Sequence, residues 1–291
     1  MASMRDIKRR KGSIQSTQQI TKAMKLVSTV KLQRAKANAE RSKTYFYAMY
    51  DTIQSILAKM PNIEHKYLKS GESGKKAVVV ITSNRGLAGG YNSNVIKLIT
   101  KGELAKEDLA IYAIGKKGRD YLSRFYDVAQ DYSDMIEEPV YAEAMKISEQ
   151  LLADFEDGKI SEIYLAYTGF KNTVSHIPTL LKLLPVDMAA GASFQDDERP
   201  AEENTNVLMN FEPEEEEALN LLIPKYITSL IYGAMIQAVA SENGARMQAM
   251  DSATSNAEEM IEHLTLQYNR ARQGSITQEL TEIIAGANAI S

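Results

Sequence analysis

Apolar positions follow a helical rhythm through residues 3–58, a stretch with no proline and a single glycine, Gly12. Two stripes recur at steps of three and four: Ile20, Ala23, Val27 and Val30, then Phe46, Met49, Tyr50, Ile53, Ile56 and Leu57. That spacing is one face of an α-helix. Before Ile20 the substantial apolar residues are Met4, Ile7 and Ile14, and the seven-residue step from Ile7 to Ile14 keeps them on a narrow seam. A helix of a globular core carries a broader apolar face than this. Pro61 ends the pattern, so one helix of about 55 residues, roughly 80 Å long, is predicted.

After a polar linker at 62–76 the period changes. Ala77–Thr82 is a continuous run of mostly β-branched residues, and Leu109–Gly115 and Glu162–Thr168 resemble it; strands buried on both faces look like this. Helical patterns lie between them at Asn92–Leu104, Lys116–Phe125 and Val140–Phe155. Strand alternating with helix predicts a parallel sheet with crossover helices. His176–Val186 is expected as an edge strand, because Pro178 and Pro185 cannot donate to a central ladder.

The last element is expected to start near Phe211-Glu212-Pro213, where a proline and the following Glu214–Glu217 suit a helix N-terminus. Pro224 could kink or restart it. Beyond lies the stripe Ala253, Ala257, Ile261, Leu264, Tyr268, Ala271, continued by Ile276, Leu280, Ile283, Ala287 and Ile290. Some 75 residues would span roughly 110 Å. Neither terminal helix can bury itself in a domain of ~130 residues, with a radius of gyration of about 14 Å. The predicted fold is therefore α/β: a long antiparallel coiled coil of the N- and C-terminal helices plus a Rossmann-like parallel-sheet domain. The expected division is 1–60 for the first helix, 61–210 for the α/β domain with an acidic loop at its end, and 211–291 for the last helix.

Charge divides the chain unevenly. Residues 1–43 hold twelve Lys and Arg against Asp6 and Glu40, a net of +10, while residues 193–217 hold ten Asp and Glu against Arg199, a net of −9. A basic helix of this kind suits nucleic acid, an anionic membrane or an acidic protein partner, or it is a solvated helix face. There is no Cys and there are three scattered His, which excludes disulfides and thiolate metal sites and argues against a His-built centre or triad. No apolar h-region follows Met1, and the longest apolar runs are short of the roughly 20 residues of a membrane span, so neither a secretory signal nor a span is expected.

The turn Ser83-Asn84-Arg85-Gly86-Leu87-Ala88-Gly89-Gly90-Tyr91-Asn92 follows the first strand and precedes a helix, where a dinucleotide site would sit. Its glycine spacing departs from G-x-G-x-x-G, and Glu107 and Asp108 precede the second strand instead of ending it. Gly71-Glu72-Ser73-Gly74-Lys75 lacks the spacing and the following hydroxyl of a phosphate-binding loop. A tight strand-to-helix turn is expected, with no cofactor, no metal and no catalytic residue. Met24, Met247, Met250 and Met260 are read as seam packing.

Several segments together resemble the gamma subunit of bacterial F-type ATP synthases: Ile20-Thr21-Lys22-Ala23-Met24, Ser83–Asn92, Ala245-Arg246-Met247-Gln248-Ala249-Met250, Ala253-Thr254-Ser255-Asn256-Ala257, and Tyr268 through Leu280 with Arg272-Gln273-Gly274 at its centre. The resemblance runs in order over the whole chain. Asn84 and Ala88 stand where that family often has Asp and Cys, so no role needing that carboxylate or thiol carries over. Nor does thiol modulation, since the chloroplast form's inserted cysteines are missing. The resemblance implies a non-catalytic rotor shaft in the central stalk of a proton-translocating synthase, coupling c-ring rotation to ATP synthesis. Its implied partners are the alpha and beta subunits of the catalytic hexamer, the epsilon subunit and the c-ring, with no nucleic acid. It places the chain peripherally at the cytoplasmic side of the cell membrane. Position by position, it implies beta-subunit contacts for Met24, Lys25, Arg272 and Gln273, coupling roles for Arg246 and Glu279, and c-ring contacts for Phe211 and Glu212. Two other readings stay open on the residues alone. One is a basic coiled-coil protein binding nucleic-acid phosphates, although no aromatic precedes Tyr45 for base stacking. The other is a nucleotide-dependent oxidoreductase, which lacks both a fingerprint and an acid–base set.

Overall fold

A computed structural model describes residues 4–59, 65–71, 74–102, 104–173, 175–186 and 215–290. In chain order the elements are α1 (Met4–Lys59), β1 (Lys75–Ile81), α2 (Tyr91–Thr100), β2 (Leu109–Ile114), α3 (Lys116–Leu122), β3 (Asp127–Asp131), α4 (Tyr141–Glu156), β4 (Ile160–Phe170), β5 (His176–Leu184) and α5 (Glu215–Ile290). Short 3-10 turns precede β1, β2 and α4. The chain divides into two compact units, Met1–Thr29 with Arg246–Ser291, and Val30–Ala245. Both boundaries fall inside the terminal helices.

In the unit Val30–Ala245, five strands form one sheet in the order β3-β2-β1-β4-β5. The first four are mutually parallel and β5 pairs antiparallel with β4. β1 and β2 read as apolar runs because helices cover the sheet: Ala77–Ile81 and all of Leu109–Ile114 are buried. Val78, Val80, Val95, Ile99, Ile111 and Leu122 form one core cluster. β5 is an edge strand, as its prolines require; Pro178 sits opposite Thr168 in the ladder.

Two sequence expectations need correction here. The helix expected over Lys116–Phe125 stops at Leu122, and the chain then adds β3, Asp127–Asp131, beside β2. This edge strand has the sequence DVAQD and is almost wholly exposed, so no apolar run marks it. The other concerns the absence of a membrane-length apolar stretch. Within α5 one stretch is long and apolar enough to cross a membrane by length and composition, but 61% of it is buried inside the protein. Leu219, Ile223, Tyr226, Ile227, Leu230 and Ile231 are essentially inaccessible, so that apolarity belongs to the core. α5 also runs unbroken through Pro224. The Thr228 hydroxyl donates to the Pro224 carbonyl at 2.9 Å.

Gly115, between β2 and α3, is the position where the backbone most plainly needs glycine. Its φ is +108°, and a Cβ there would meet the Thr82 carbonyl oxygen at 2.0 Å.

Candidate functional site

The unit of Met1–Thr29 and Arg246–Ser291 is an antiparallel helix pair, and it carries most of the residues singled out in the sequence. On α1, Ile7, Thr21 and Ser28 are buried and Lys11, Ile14, Gln18 and Lys25 are half-buried. Those positions step by four and three, a heptad seam. The stripe expected from apolarity lies on the neighbouring face and is corrected: Ile20, Val27 and Val30 are 59%, 58% and 65% exposed. The seam mixes the apolar Ile7 and Ile14 with polar side chains, Gln18, Thr21, Lys25 and Ser28.

On α5 the expected stripe holds for its first half. Met250, Ala257 and Leu264 are buried, and Ala253, Ile261, Tyr268 and Ala271 are half-buried. Three polar contacts fix the register. Gln18 Nε2 donates to Glu258 Oε1 at 3.0 Å, the Thr21 and Thr254 hydroxyls meet at 2.7 Å, and Lys25 Nζ donates to Asp251 Oδ1 at 2.5 Å. Each three or four residues forward on α1 is three or four backward on α5. By that count the described start of α1, Met4, falls opposite the region of Arg272, and no described residue of α1 faces later positions. The continuation of the stripe is therefore corrected too: Ile276, Leu280 and Ile283 are 48%, 54% and 67% exposed.

The expected site residues fall into separate groups. Met24 and Lys25 are half-buried, and Lys25 already holds an ion pair with Asp251. Arg272 and Gln273 are exposed, about 30 Å along α5 from Asp251 at ~1.5 Å per residue. Arg246 is buried and engaged within the protein. Glu279 is exposed and accepts a long contact from the Ser275 hydroxyl at 3.5 Å. Arg246 and Glu279 stand about 50 Å apart along the helix and cannot form a pair. Phe211 and Glu212, with the rest of the acidic stretch up to 214, lie outside the described residues. The polar ladder itself was missed in the sequence. Its signal was the seven-residue step Ile7, Ile14, Thr21, Ser28.

The glycine-rich turn after β1 is closed by its own side chains. Asn92 Oδ1 accepts from the Ser83 amide at 2.9 Å, and the Ser83 hydroxyl donates to the Arg85 carbonyl at 2.6 Å. Asn84 Oδ1 accepts from the Lys116 amide at 2.9 Å, and Thr82 Oγ1 accepts from the Gly118 amide at 2.9 Å. The first amides of α3 are thus bound by residues that follow β1, which ties this turn to the start of α3. Among the described residues no group of three His, Cys, Asp or Glu is placed to hold a metal ion.

The strongest electrostatics sit in the sheet unit, around Glu162. Its burial would raise the carboxyl pKa, but contacts from Lys182 at 2.7 Å, Tyr164 at 2.9 Å and Lys76 at 3.3 Å prevail and hold it at about 2. The same contact, with burial, pushes the Tyr164 phenol up to about 12. Tyr112 and Lys159 similarly bind the buried Asp154 carboxylate and outweigh its desolvation. These clusters tie β1, β4 and β5 together around Glu162, and α4 to β2 around Asp154.

The family model described as ATP synthase matches residues 3–290. A protein of Lachnoclostridium phytofermentans called ATP synthase gamma chain is 64% identical over the whole of both chains. One of Acetobacterium woodii, called ATP synthase gamma chain, sodium ion specific, is 40% identical over 99% of each. Among solved structures, a chain of the Tetrahymena thermophila mitochondrial ATP synthase central stalk and c-ring matches with a TM-score of 0.58 at 24% identity, over 80% of this chain and 99% of that one. That likeness carries the fold: terminal helices with a small α/β sheet. The identity along the full length carries more, and on it the chain belongs to the gamma chain family of ATP synthases.

Proposed function

We propose that this central-stalk subunit, itself non-catalytic, acts as the rotor shaft that couples ion-driven turning of a c-ring to ATP synthesis in a hexamer of alpha and beta subunits. The observation that carries the reading is the exposed surface of the helix pair beyond its internal seam. Arg272 and Gln273 stand exposed in the polar patch Asn269–Ser275, and Ile276, Leu280 and Ile283, which follow it, are exposed among the described residues. A polar patch flanked by exposed but separate apolar side chains can be gripped and released, as a shaft inside a sleeve requires. The guanidinium of Arg272 offers a rigid donor fork, and a carboxylate on a beta subunit is its natural match. Such a contact forms and breaks at each third of a turn.

The remaining assignments belong to the same reading. Met24 and the basic face of α1 meet acidic beta-subunit segments, where charge sets register and rate more than affinity. Lys25 reaches them only in exchange with Asp251. Arg246 and Glu279 act in coupling, and Phe211 and Glu212 meet the c-ring. The epsilon subunit binds the sheet unit, and the assembly sits peripherally on the cytoplasmic side of the cell membrane. The division 1–60, 61–210 and 211–291 is the functional one, a shaft helix on either side of a foot. The nucleic-acid reading has no support among the relatives.

Co-expression with alpha and beta subunits tests the function. Native mass spectrometry is expected to find one copy of this chain with three alpha and three beta subunits, and failure to join them contradicts the reading. Synthesis by the complete complex driven by a proton gradient in sodium-free medium is expected. Synthesis only with sodium replaces the ion and leaves the shaft.

A further inference from the structure

Within the unit Val30–Ala245 a partly open cavity of about 320 Å³ lies between α1, the start of α4, the end of β4 and α5. That is the lower end of the size range of small-molecule sites, about 300–1,000 Å³. Its walls are aromatic. Tyr45 and Tyr141 meet edge-to-face with centroids 6.4 Å apart, and Tyr141 and Tyr232 do so at 5.6 Å. Phe46 and Phe170 complete the lining. Phe46 also stacks on the buried Tyr226, with centroids 6.3 Å apart, and belongs to the core, whereas the edge-to-face array of Tyr45, Tyr141 and Tyr232 can take a further flat ring against a ring face.

The rim is cationic. Lys36 Nζ lies 4.8 Å from the centre of the Phe170 ring, and Lys171 follows directly on that residue. Among the described residues neither lysine has an ion pair, whereas Glu40, the one carboxylate on the rim, is already engaged. Two ammonium groups without ion pairs beside edge-to-face rings ask for an anion on an aromatic body. Glu40 penalises a second negative charge. We propose that this cavity is a binding site for a flat aromatic monoanion of about two fused rings, its rings among Tyr45, Tyr141 and Tyr232 and its carboxylate or sulfonate at Lys36 and Lys171. The site is independent of the shaft reading.

Titration of the full chain with 1-anilinonaphthalene-8-sulfonate, followed by fluorescence, tests it. One saturable site is expected at roughly tens of micromolar. Ala39→Trp, which fills the cavity from α1, and the exposed double change Lys36→Glu with Lys171→Glu are each expected to weaken that site roughly tenfold or more. Circular dichroism should stay unchanged for the lysine pair, which keeps the test valid if the tryptophan disturbs folding. The uncharged analogue N-phenyl-1-naphthylamine is expected to bind at least about tenfold more weakly. Equal response of the parent and the lysine-pair chain would place the probe on the exposed apolar helix faces and overturn the proposal. Equal affinity for the uncharged analogue would overturn the anion requirement.

Discussion

The two compact units hold their helices in opposite ways. Between Val30 and Ala245, α5 is buried on nearly every side, with Leu219, Ile223, Leu230, Ile231, Ala234 and Met235 inaccessible. In the other unit the described part of α1 buries only Ile7, Thr21 and Ser28, and α5 only Arg246, Met250, Ala257 and Leu264. One unit is held by apolar volume. The other is held by register, through Gln18–Glu258, Thr21–Thr254 and Lys25–Asp251. The same helices thus serve as core and as shaft, and the difference separates stability from coupling.

The sharpest way to break that comparison is to remove volume from each unit. Ile111→Ala, in the middle of β2 with no exposure, should cost about 2–5 kcal/mol in denaturant unfolding. Thr21→Ala in the helix pair should cost ~1 kcal/mol, read best as faster amide exchange along residues 4–29. Equal losses would mean that the helix pair has a core of the ordinary kind.

Acid should act on the sheet unit. Glu162 is held at about 2, well below the ordinary glutamate value of 4.5. A depressed carboxyl contributes stability that is fully present above the unfolded value and is lost as pH falls from about 4.5 towards 2. Glu162→Gln should therefore lower stability at pH 7 by ~1–2 kcal/mol and flatten the acid limb of a stability–pH curve. An unchanged acid limb would show that other carboxylates, such as Asp154, dominate it.

A smaller effect of opposite sign is expected at Gly274. A Cβ there meets nothing within 4 Å, so Gly274→Ala should stabilise the isolated helix by about 0.5–1 kcal/mol. If clearance inside the beta subunits is what the glycine provides, ATP turnover of the complex falls while the helix gains stability. A gain without any loss of turnover would reduce Gly274 to a neutral position.

These regions also differ in how far the sequence could be read. Ala77–Thr82 and Leu109–Gly115 were legible because strands covered on both faces must be apolar throughout. Asp127–Asp131 was not, since an exposed edge strand leaves DVAQD free to be polar. The helix pair was legible in type and direction but not in face. Apolarity selects Ile20, Val27 and Val30, whereas the true seam lies one position on, at Thr21 and Ser28, where Thr21 meets a partner more than two hundred residues away. Asp251, Glu258 and Thr254 carried no local signal for the same reason. The hydrogen bonds of Asn84 and Asn92 within the turn Ser83–Asn92 could be seen only in the fold.

The most direct measurement of the separation between holding and coupling is Arg272→Leu in the assembled complex. Arg272 is exposed at the level where the described part of α1 begins, so assembly and melting temperature should match the parent. A contact of about 1 kcal/mol lost from the rotating state corresponds to roughly fivefold slower ATP turnover. Normal assembly with the parent rate would show the Arg272 contact to be dispensable, and a marked drop in melting temperature would show that this part of the shaft holds the fold after all.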